Sequence, residues 1–384
     1  MKTLREHFPM ANKITYLDNA ALVLKPDVAI KACDRFYKDF SVSVRTVNTP
    51  LGLKSYATIK NLRKKVGRLI DANEEEVLFS SGATGSLNTF ALMAKQILKE
   101  NDEILLSVYN HSSNFVPWIE VAKETKAKVV VSKNILKDIN EKTKIVALSQ
   151  VSNNLQANED MDSIYQKAHS FNAIVVNDAA QAIVYEKCSL KNSDVITLSA
   201  NKFYGPTGFG ILAIKKSLLK NLKPVAFGGG AVTSIDSPCE YSNTNSLNAL
   251  YEPGTPNLAA IYMWSKSIDF FNKYIGYEYT QKVLKELSEY AYDQLKTVPN
   301  LTIYSERGHH LIMMNMNNAD CQDVATYLGS KNIYVRSGIF CAHYLKNLMK
   351  EKSFLRVSLG IYNTKEDIDK LVKALKNGGD FLVL

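Results

Sequence analysis

The stretch Ser199-Ala200-Asn201-Lys202-Phe203-Tyr204-Gly205-Pro206-Thr207-Gly208 decides how the rest of the chain is interpreted. The apolar run before it, residues 194–198, predicts a strand, and the small, turn-forming residues around Lys202 predict a loop at the carboxyl end of that strand. A lysine in such a loop is either a solvated residue or an amine held in position for chemistry. The neighbouring segments must discriminate between the two.

The preceding predicted strand, residues 173–177, leads into an acid at the same end. Asp178 begins the segment Asp178-Ala179-Ala180-Gln181 and stands 24 positions before Lys202. A carboxylate and a lysine at one sheet edge suit pyridoxal 5′-phosphate (PLP), since the acid keeps the ring nitrogen protonated while the amine forms a Schiff base. Taken alone, Asp178 is equally consistent with a helix N-cap.

A glycine turn stands between a strand and a helix earlier in the chain. Ser80-Ser81-Gly82-Ala83-Thr84-Gly85 separates the predicted strand 77–80 from residues 86–99, in which apolar side chains recur at helical spacing. Glycine permits close backbone approach, and the amides and dipole of a helix N-terminus favour a phosphate. The Gly-Lys-Ser/Thr ending of a P-loop is missing from this sequence, and strand–glycine–helix turns are common in α/β proteins.

His111 and Asn153 follow two further predicted strands, residues 103–108 and 144–149. An imidazole at position 111 has the shape to stack on a cofactor ring and the chemistry to relay protons. Each residue alone is also consistent with an ordinary loop or core position. Together with the three features above, however, they put every candidate just beyond the carboxyl end of a strand, where parallel sheets bind ligands.

The order of elements predicts an α/β fold in which a large domain has a mostly parallel, seven-stranded sheet covered by helices. Its strands are residues 77–80, 103–108, 128–132, 144–149, 173–177, 194–198 and 209–214. After residue 257 a long helical region (258–297), four strands (301–305, 310–315, 333–336 and 354–358) and a final helix (365–376) predict a smaller α+β C-terminal domain. We expect the boundaries at 1–20 for a segment that packs on the small domain, 21–257 for the large domain and 258–384 for the small one.

The composition is that of an ordinary globular protein, with 46% hydrophobic and 22% charged residues. The net charge of +9 comes from lysines spread along solvated helix faces, without a dense basic block, so we expect no nucleic-acid partner. No run of 18 apolar residues predicts a membrane span, and the charged opening residues do not form a signal peptide. These features predict a cytoplasmic protein.

Five cysteines are scattered along the chain, at positions 33, 188, 239, 321 and 341. None belongs to a Cys-x-x-Cys pair, so neither a disulfide framework nor a metal site is predicted. We expect five reduced thiols, one of them a candidate for reactivity.

With these residues in place, the chain resembles the class V, fold-type I PLP enzymes, and within them the second-group cysteine desulfurases (the Suf-type and selenocysteine-lyase branch). The resemblance extends over nearly the whole chain, from Leu17-Asp18-Asn19-Ala20-Ala21 to Tyr362-Asn363-Thr364. Between them its landmarks are His111, Val116-Pro117-Trp118, Val151-Ser152-Asn153, Asp178 to Ala182, Lys202 to Gly208, Gly228-Gly229-Gly230, Gly254-Thr255-Pro256-Asn257, Arg336-Ser337-Gly338, Cys341-Ala342 and Leu355 to Leu359.

The resemblance implies a role for each candidate. Lys202 would carry PLP, Asp178 would pair with the ring nitrogen, Gln181 would bond the ring oxygen and His111 would stack over the ring. The phosphate would be held by the turn at Ala83 and Thr84 and by Ser199 and Asn201, with Thr255 reaching it from the second subunit of a homodimer. Arg356 would bind the substrate carboxylate beside Asn153. Cysteine would be the substrate, and a protein would accept its sulfur.

Cys341 would be the nucleophile. It lies between Arg336 and Arg356, which are 20 positions apart, a spacing similar to the short cysteine loop of the second-group enzymes. Attack requires a thiolate, and Arg336, Arg356 and His343 are cations that favour one. The alternative is that Cys341 is structural, as a lone cysteine usually is.

Several positions depart from the family pattern. Asn201 stands where His commonly precedes the cofactor lysine, and Ile339-Phe340 stand where two histidines often precede the cysteine. Gly85 stands where the phosphate turn usually has Glu, and Asn48 where His is usual. These departures leave another class V reaction open, such as a C–S or C–Se lyase or an aminotransferase, and so does a non-catalytic binding partner of the same fold.

Overall fold

The structure, a computed structural model, describes residues 3–157, 159–317 and 319–378. Residues 1–2 of the expected N-terminal segment and residues 379–384 of the expected small domain lie outside the described residues. Every residue expected in the site lies within them.

The strands and helices predicted from the sequence occur in the predicted order, and the structure adds others, among them an antiparallel strand pair at residues 232–243. The strands are β1 (Thr15–Tyr16), β2 (Val77–Ser80), β3 (Glu103–Ser107), β4 (Lys128–Ser132), β5 (Thr143–Leu148), β6 (Ile174–Asp178), β7 (Val195–Ser199), β8 (Gly210–Ile214), β9 (Val232–Ser237), β10 (Glu240–Asn243), β11 (Leu301–Ile303), β12 (Leu311–Met316), β13 (Ile333–Tyr334), β14 (Arg336–Gly338) and β15 (Phe354–Ser358). The helices are α1 (Asp27–Arg35), α2 (Pro50–Ile70), α3 (Ala83–Ala94), α4 (Val116–Thr125), α5 (Ile135–Asp138), α6 (Met161–Ser170), α7 (Ala182–Tyr185), α8 (Lys216–Leu219), α9 (Leu247–Tyr251), α10 (Leu258–Tyr274), α11 (Gly276–Leu295), α12 (Cys321–Ser330) and α13 (Lys365–Lys376).

Seven strands form one sheet in the order β2-β8-β7-β6-β5-β3-β4. Only β8 runs against its neighbours, so the other six strands end at the same edge. The sheet is apolar on both faces: Ile145 packs with Trp118 on one side, whereas Val146 packs with Ile164 on the other. The predicted mostly parallel, seven-stranded sheet is confirmed.

The C-terminal part is the predicted smaller α+β unit. Its antiparallel sheet has the order β11-β12-β15-β14, and α12 and α13 follow in the same part of the chain. The N-terminal residues contact it, because β1 pairs in parallel with β13 and Arg5 Nη1 lies 2.6 Å from Asp367 Oδ2. The boundaries at residues 20 and 257 remain predictions.

Three elements differ in detail from the sequence prediction. Helix α3 begins at Ala83 rather than at residue 86, so the expected phosphate turn is already the first turn of the helix. The long region 258–297 is two helices separated by Ile275, and Gly276, where φ is +70°, begins the second. The expected strand 333–336 is divided between β13 and β14, which pair with different partners.

Within the described ranges, no helix combines the length and hydropathy needed to cross a bilayer.

Candidate active site

Lys202 ends a short 3-10 turn, Ala200–Lys202, directly after β7. Its Nζ donates a hydrogen bond to the carbonyl oxygen of Ala20. Burial, followed by the charge of the nearby Arg356 guanidinium, lowers the pKa of Lys202 to about 8. An amine in this state shifts readily between neutral and charged forms near physiological pH.

Asp178 ends β6, the strand next to β7 in the sheet. The residue is 5% exposed, and its Oδ1 accepts a hydrogen bond from the amide of Ala180 at 3.1 Å. Burial raises the pKa of Asp178 to about 6, although the Ala180 amide and the charge of Lys202 act in the opposite direction. A buried carboxyl group of this kind would ionise more readily beside a cation, such as a protonated ring nitrogen.

The first turn of α3, with Ala83 and Thr84, and the side chain of Ser199 form a small concave surface, which we call the cup. Ser199 Oγ accepts from the amide of Ala83 at 2.7 Å, and Thr84 Oγ1 lies 2.7 Å from Ser113 Oγ. Gly82 has φ of +133°, a conformation that other residues rarely adopt. The amides of a first helical turn have no partners within the helix, so this cup is suited to an anion.

His111 lies beside the cup, after β3. Its Nδ1 accepts a hydrogen bond from the amide of Ser113 at 3.1 Å. Burial, followed by the charge of Lys202, lowers the pKa of His111 to about 4. The ring is therefore neutral at physiological pH. Nδ1 is the acceptor, so the proton of the neutral ring is on Nε2.

One pocket joins these residues. It is lined by Ala83, Thr84, His111, Ser113, Ser149, Val151, Asn153, Asp178, Ala180, Gln181, Ser199 and Lys202. Eight of the residues expected in the site are thus brought together at the carboxyl edge of the sheet. Gln181 shares a hydrogen-bond acceptor with Lys202. Its Nε2 donates to the Ala20 carbonyl at 2.8 Å, and Lys202 Nζ donates to the same oxygen.

Arg356 lies on β15 at the junction of the two sheets and is 2% exposed. Its Nη2 lies 3.0 Å from Asp18 Oδ1, and its Nη1 donates to the Asn153 carbonyl at 2.9 Å. Its Nε is buried without a hydrogen-bond partner among the described residues. A buried donor left unsatisfied is costly, which fits a site that accepts an anionic ligand.

Cys341 lies in a turn held by both sides of the site. Asn153 Nδ2 donates to the Phe340 carbonyl at 2.8 Å, and the Ser112 amide donates to the Cys341 carbonyl at 2.7 Å. Phe340 and Cys341 have φ values of 55° and 57°, a left-handed conformation that is unfavourable without glycine. Cys341 is exposed.

Five of the expected residues do not line this pocket: Arg356 and Cys341, described above, and Asn201, Arg336 and Thr255. Asn201 does not line it: its Nδ2 donates to the Ala21 carbonyl at 3.4 Å. Arg336 is exposed on β14, opposite Arg356 in the register, and Thr255 is exposed after α9. Within this one chain the structure therefore does not bring Thr255 to the cup.

Sequence reasoning gave no role to Asp18, Ala20 or Ser112. Asp18 pairs with Arg356, and the carbonyl of Ala20 accepts from both Lys202 and Gln181. Asp18 and Ala20 belong to the Leu17 to Ala21 motif of the family resemblance, and that motif could have identified them as site residues. Ser112 follows His111 directly and had no such signal.

The residues present fit PLP. The cup offers helix amides and hydroxyls to a phosphate, the buried Asp178 offers a carboxylate to a ring nitrogen, and Lys202 offers an amine of lowered pKa to an aldehyde carbon. The unsatisfied Nε of Arg356 leaves a donor for a substrate carboxylate.

Comparison with known proteins agrees with this geometry. The family model "Aminotransferase class-V" matches residues 15–371. A "Probable cysteine desulfurase" of Ureaplasma parvum is 33% identical over 393 residues, covering 98% of this chain and 97% of that protein. One from Mycoplasma genitalium is 34% identical over 377 residues, covering 94% and 91%.

Solved structures show the same fold. The crystal structure of the cysteine desulfurase CsdA (S-sulfonic acid) from Escherichia coli superposes with a TM-score of 0.89 at 30% identity, covering 97% of this chain and 96% of that one. The apo structure of a cysteine desulfurase from Thermococcus onnurineus gives a TM-score of 0.90 at 25% identity, covering 98% of both. From the family match over nearly its whole length, this chain belongs to the class-V aminotransferase family.

Proposed function

We propose that the chain is a PLP-dependent cysteine desulfurase that converts L-cysteine to L-alanine and keeps the sulfur as a persulfide on Cys341. One structural relationship carries the proposal: Asn153 bonds Arg356 through its carbonyl and the Phe340 carbonyl through its side chain, at 2.9 and 2.8 Å. The residue suited to a substrate carboxylate and the loop that bears the thiol are thus joined by one residue at the pocket, through its backbone carbonyl and its side chain. The names of the relatives support the same substrate.

Some residues of the site bind the substrate and the cofactor, and others transfer protons. Arg356 binds the carboxylate of the amino acid, and the cup of α3 with Ser199 binds the cofactor phosphate. PLP, when bound, supplies an electron sink next to the α-carbon. Lys202 takes the α-proton, a task to which its lowered pKa is suited. His111 lines the pocket as a neutral ring.

Cys341 then attacks the sulfur of the bound cysteine. A sulfur–sulfur bond forms, the carbon–sulfur bond breaks, and its electron pair stays with the carbon, which becomes the methyl group of alanine after protonation. The exposure of Cys341 supports onward transfer of the sulfur to an acceptor protein. We further propose a cytoplasmic homodimer in which Thr255 of one subunit completes the phosphate site of the other.

The proposal is tested with the PLP-loaded protein and cysteine, by measuring alanine and protein-bound sulfur. Lys202→Ala should abolish both products, and Cys341→Ala should abolish desulfuration while the cofactor remains bound. Cys239→Ala is the matched control, because Cys239 is also exposed but lies in the turn between β9 and β10. Keto-acid formation that survives Cys341→Ala would instead favour an aminotransferase.

A further inference from the structure

The guanidinium of Arg356 lies over the aromatic ring of Phe340. Its central carbon, Cζ, is 4.5 Å from the centroid of the ring, a distance at which the negative face of an aromatic ring attracts a cation. Both residues are buried, with 7% of Phe340 and 2% of Arg356 exposed. Because little water reaches this contact, the attraction is stronger than it would be on the surface.

Polar atoms hold the same guanidinium at two further points. Nη2 lies 3.0 Å from Asp18 Oδ1, and Nη1 donates to the Asn153 carbonyl at 2.9 Å. The remaining nitrogen, Nε, is buried and has no hydrogen-bond partner among the described residues. A group held at three points cannot turn freely, so the ring, the carboxylate and the carbonyl together fix the direction in which the free Nε–H points.

The backbone of Phe340 is fastened to the same place. Asn153 Nδ2 donates to the Phe340 carbonyl at 2.8 Å, so Asn153, Phe340 and Arg356 each contact the other two. Phe340 has a φ of 55°, a conformation that residues with a side chain seldom adopt and that persists only where the surroundings determine it. Glycine would adopt this backbone without strain. A large ring at this position therefore favours a role for the side chain itself.

The ring of Phe340 is also packed in a small apolar cluster. Its buried members are Met313, Phe340, Ala342, Leu345 and Phe354. Phe354 is fully buried at the start of β15, and its ring packs edge-on against Tyr304, with the centroids 5.2 Å apart. The cluster keeps the ring of Phe340 in place against the guanidinium. It also contains, in Phe354, a second buried ring with different neighbours.

We propose that Phe340 is a positioning residue for Arg356, whose ring holds the guanidinium so that Nε is presented to the α-carboxylate of the amino acid. The proposal rests on the proposed function, which assigns Arg356 to that carboxylate. It predicts selectivity for ligands that carry a free carboxylate beside the amine, over the corresponding amides. Because Phe340 directly precedes Cys341, the residue that orients the carboxylate-binding side chain also belongs to the loop of the thiol.

The test compares the binding of L-alanine and L-alaninamide to the PLP-loaded protein, from the change in absorbance of the bound cofactor. The two ligands share the amine and the methyl group, and only L-alanine has the carboxylate. The wild type should bind L-alanine more tightly. Phe340→Leu, which keeps an apolar side chain but lacks the ring, should weaken L-alanine binding by about three- to ten-fold and leave alaninamide binding unchanged.

Two further variants separate the ring from its packing, and neither changes a charge at neutral pH. Phe340→Tyr keeps the aromatic face and should restore the wild-type affinity for L-alanine. Phe354→Leu is the matched control, because it removes a ring of the same cluster. It should lower the free energy of unfolding but keep the affinity for L-alanine. If Phe340→Leu fails to fold, Phe340→Met, which has a flexible apolar side chain, should show the same loss.

Wild-type affinity for L-alanine in Phe340→Leu or its Met replacement would overturn the proposal. Equal weakening of both ligands would also overturn it, since that result indicates a general distortion of the site, and so would a wild type that binds both ligands equally. Failure of the wild type to form alanine from cysteine would count against the proposed function only, because the binding of L-alanine is measured without turnover.

Discussion

Arg356 and Asp18 form a buried ion pair, in which Nη2 lies 3.0 Å from Oδ1 across 338 positions of sequence. The pair joins β15 to the segment after β1, and an isolated bridge between Asp18 and Ser358 runs alongside it. A guanidinium that is 2% exposed needs this carboxylate, because an unpaired buried charge is strongly unfavourable. Asp18 thus holds the residue that we assign to the substrate carboxylate.

Loss of Asp18 should therefore affect both stability and binding. We expect Asp18→Ala to lower the free energy of unfolding by about 3–5 kcal/mol, as for other broken buried pairs, and to raise KM for cysteine. Urea unfolding and steady-state kinetics measure the two effects. Asp293→Ala is the control, because its pair with Arg307 is on the surface and its loss should leave the unfolding midpoint almost unchanged. Equal effects of both variants would contradict this role of Asp18.

Asp178 should destabilise the cofactor-free protein as the pH rises. Its pKa is raised by burial from 3.8 to about 6, so the unfolded chain releases this proton first. The destabilisation is absent below about pH 4 and complete above about pH 6. Without PLP, the free energy of unfolding of Asp178→Asn should therefore be higher than that of the wild type by roughly 2–3 kcal/mol at neutral pH. At pH 4 the two free energies should differ little.

The same variant should bind PLP more weakly, because the ring nitrogen loses its carboxylate. Urea titrations at several pH values and a PLP titration measure the two properties. A constant stability difference between pH 4 and 7 would show that the carboxyl group is not titrating as the burial predicts.

The phosphate cup depends on close contact between Gly210 and Gly82. A Cβ at position 210 would lie 2.6 Å from the Cα of Gly82 and 2.3 Å from the carbonyl oxygen of Leu198. We expect Gly210→Ala to displace the start of α3, weaken PLP binding and cost about 1–3 kcal/mol of stability. Gly329→Ala in α12 is the matched control, since a Cβ there meets nothing within 4 Å. Gly329→Ala should bind PLP with wild-type affinity, and its free energy of unfolding should rise by about 0.5–1 kcal/mol.

Much of the large domain was predictable from sequence for a physical reason. Strands buried on both faces, such as β5 and β6, appear as continuous apolar runs, and all seven strands of the sheet lie within one or two residues of their predicted bounds. Parallel sheets bind ligands beyond the carboxyl ends of their strands, and on this basis His111, Asp178 and Lys202 were expected to lie together. All three line one pocket.

The contacts between distant segments were not predictable from sequence patterns. No pattern assigns Asp18 to Arg356, because the pair depends on how two sheets are packed rather than on local spacing. The left-handed backbone of Phe340 and Cys341 has no sequence signature either, since glycine normally marks such positions. The bonds of Ser112 to the cysteine turn follow from that backbone and were unpredictable for the same reason.

In the proposed reaction, Cys341 receives the sulfur of a cysteine that is bound at the pocket lined by Lys202. The most direct measurement is intact and peptide mass spectrometry of the PLP-loaded protein after brief exposure to cysteine, with thiols blocked on quenching. We expect one added sulfur atom on the Cys341 peptide, none on the Cys239 peptide, and none on either peptide in Lys202→Ala. Alanine formation by the wild type with no added sulfur on Cys341 would contradict it.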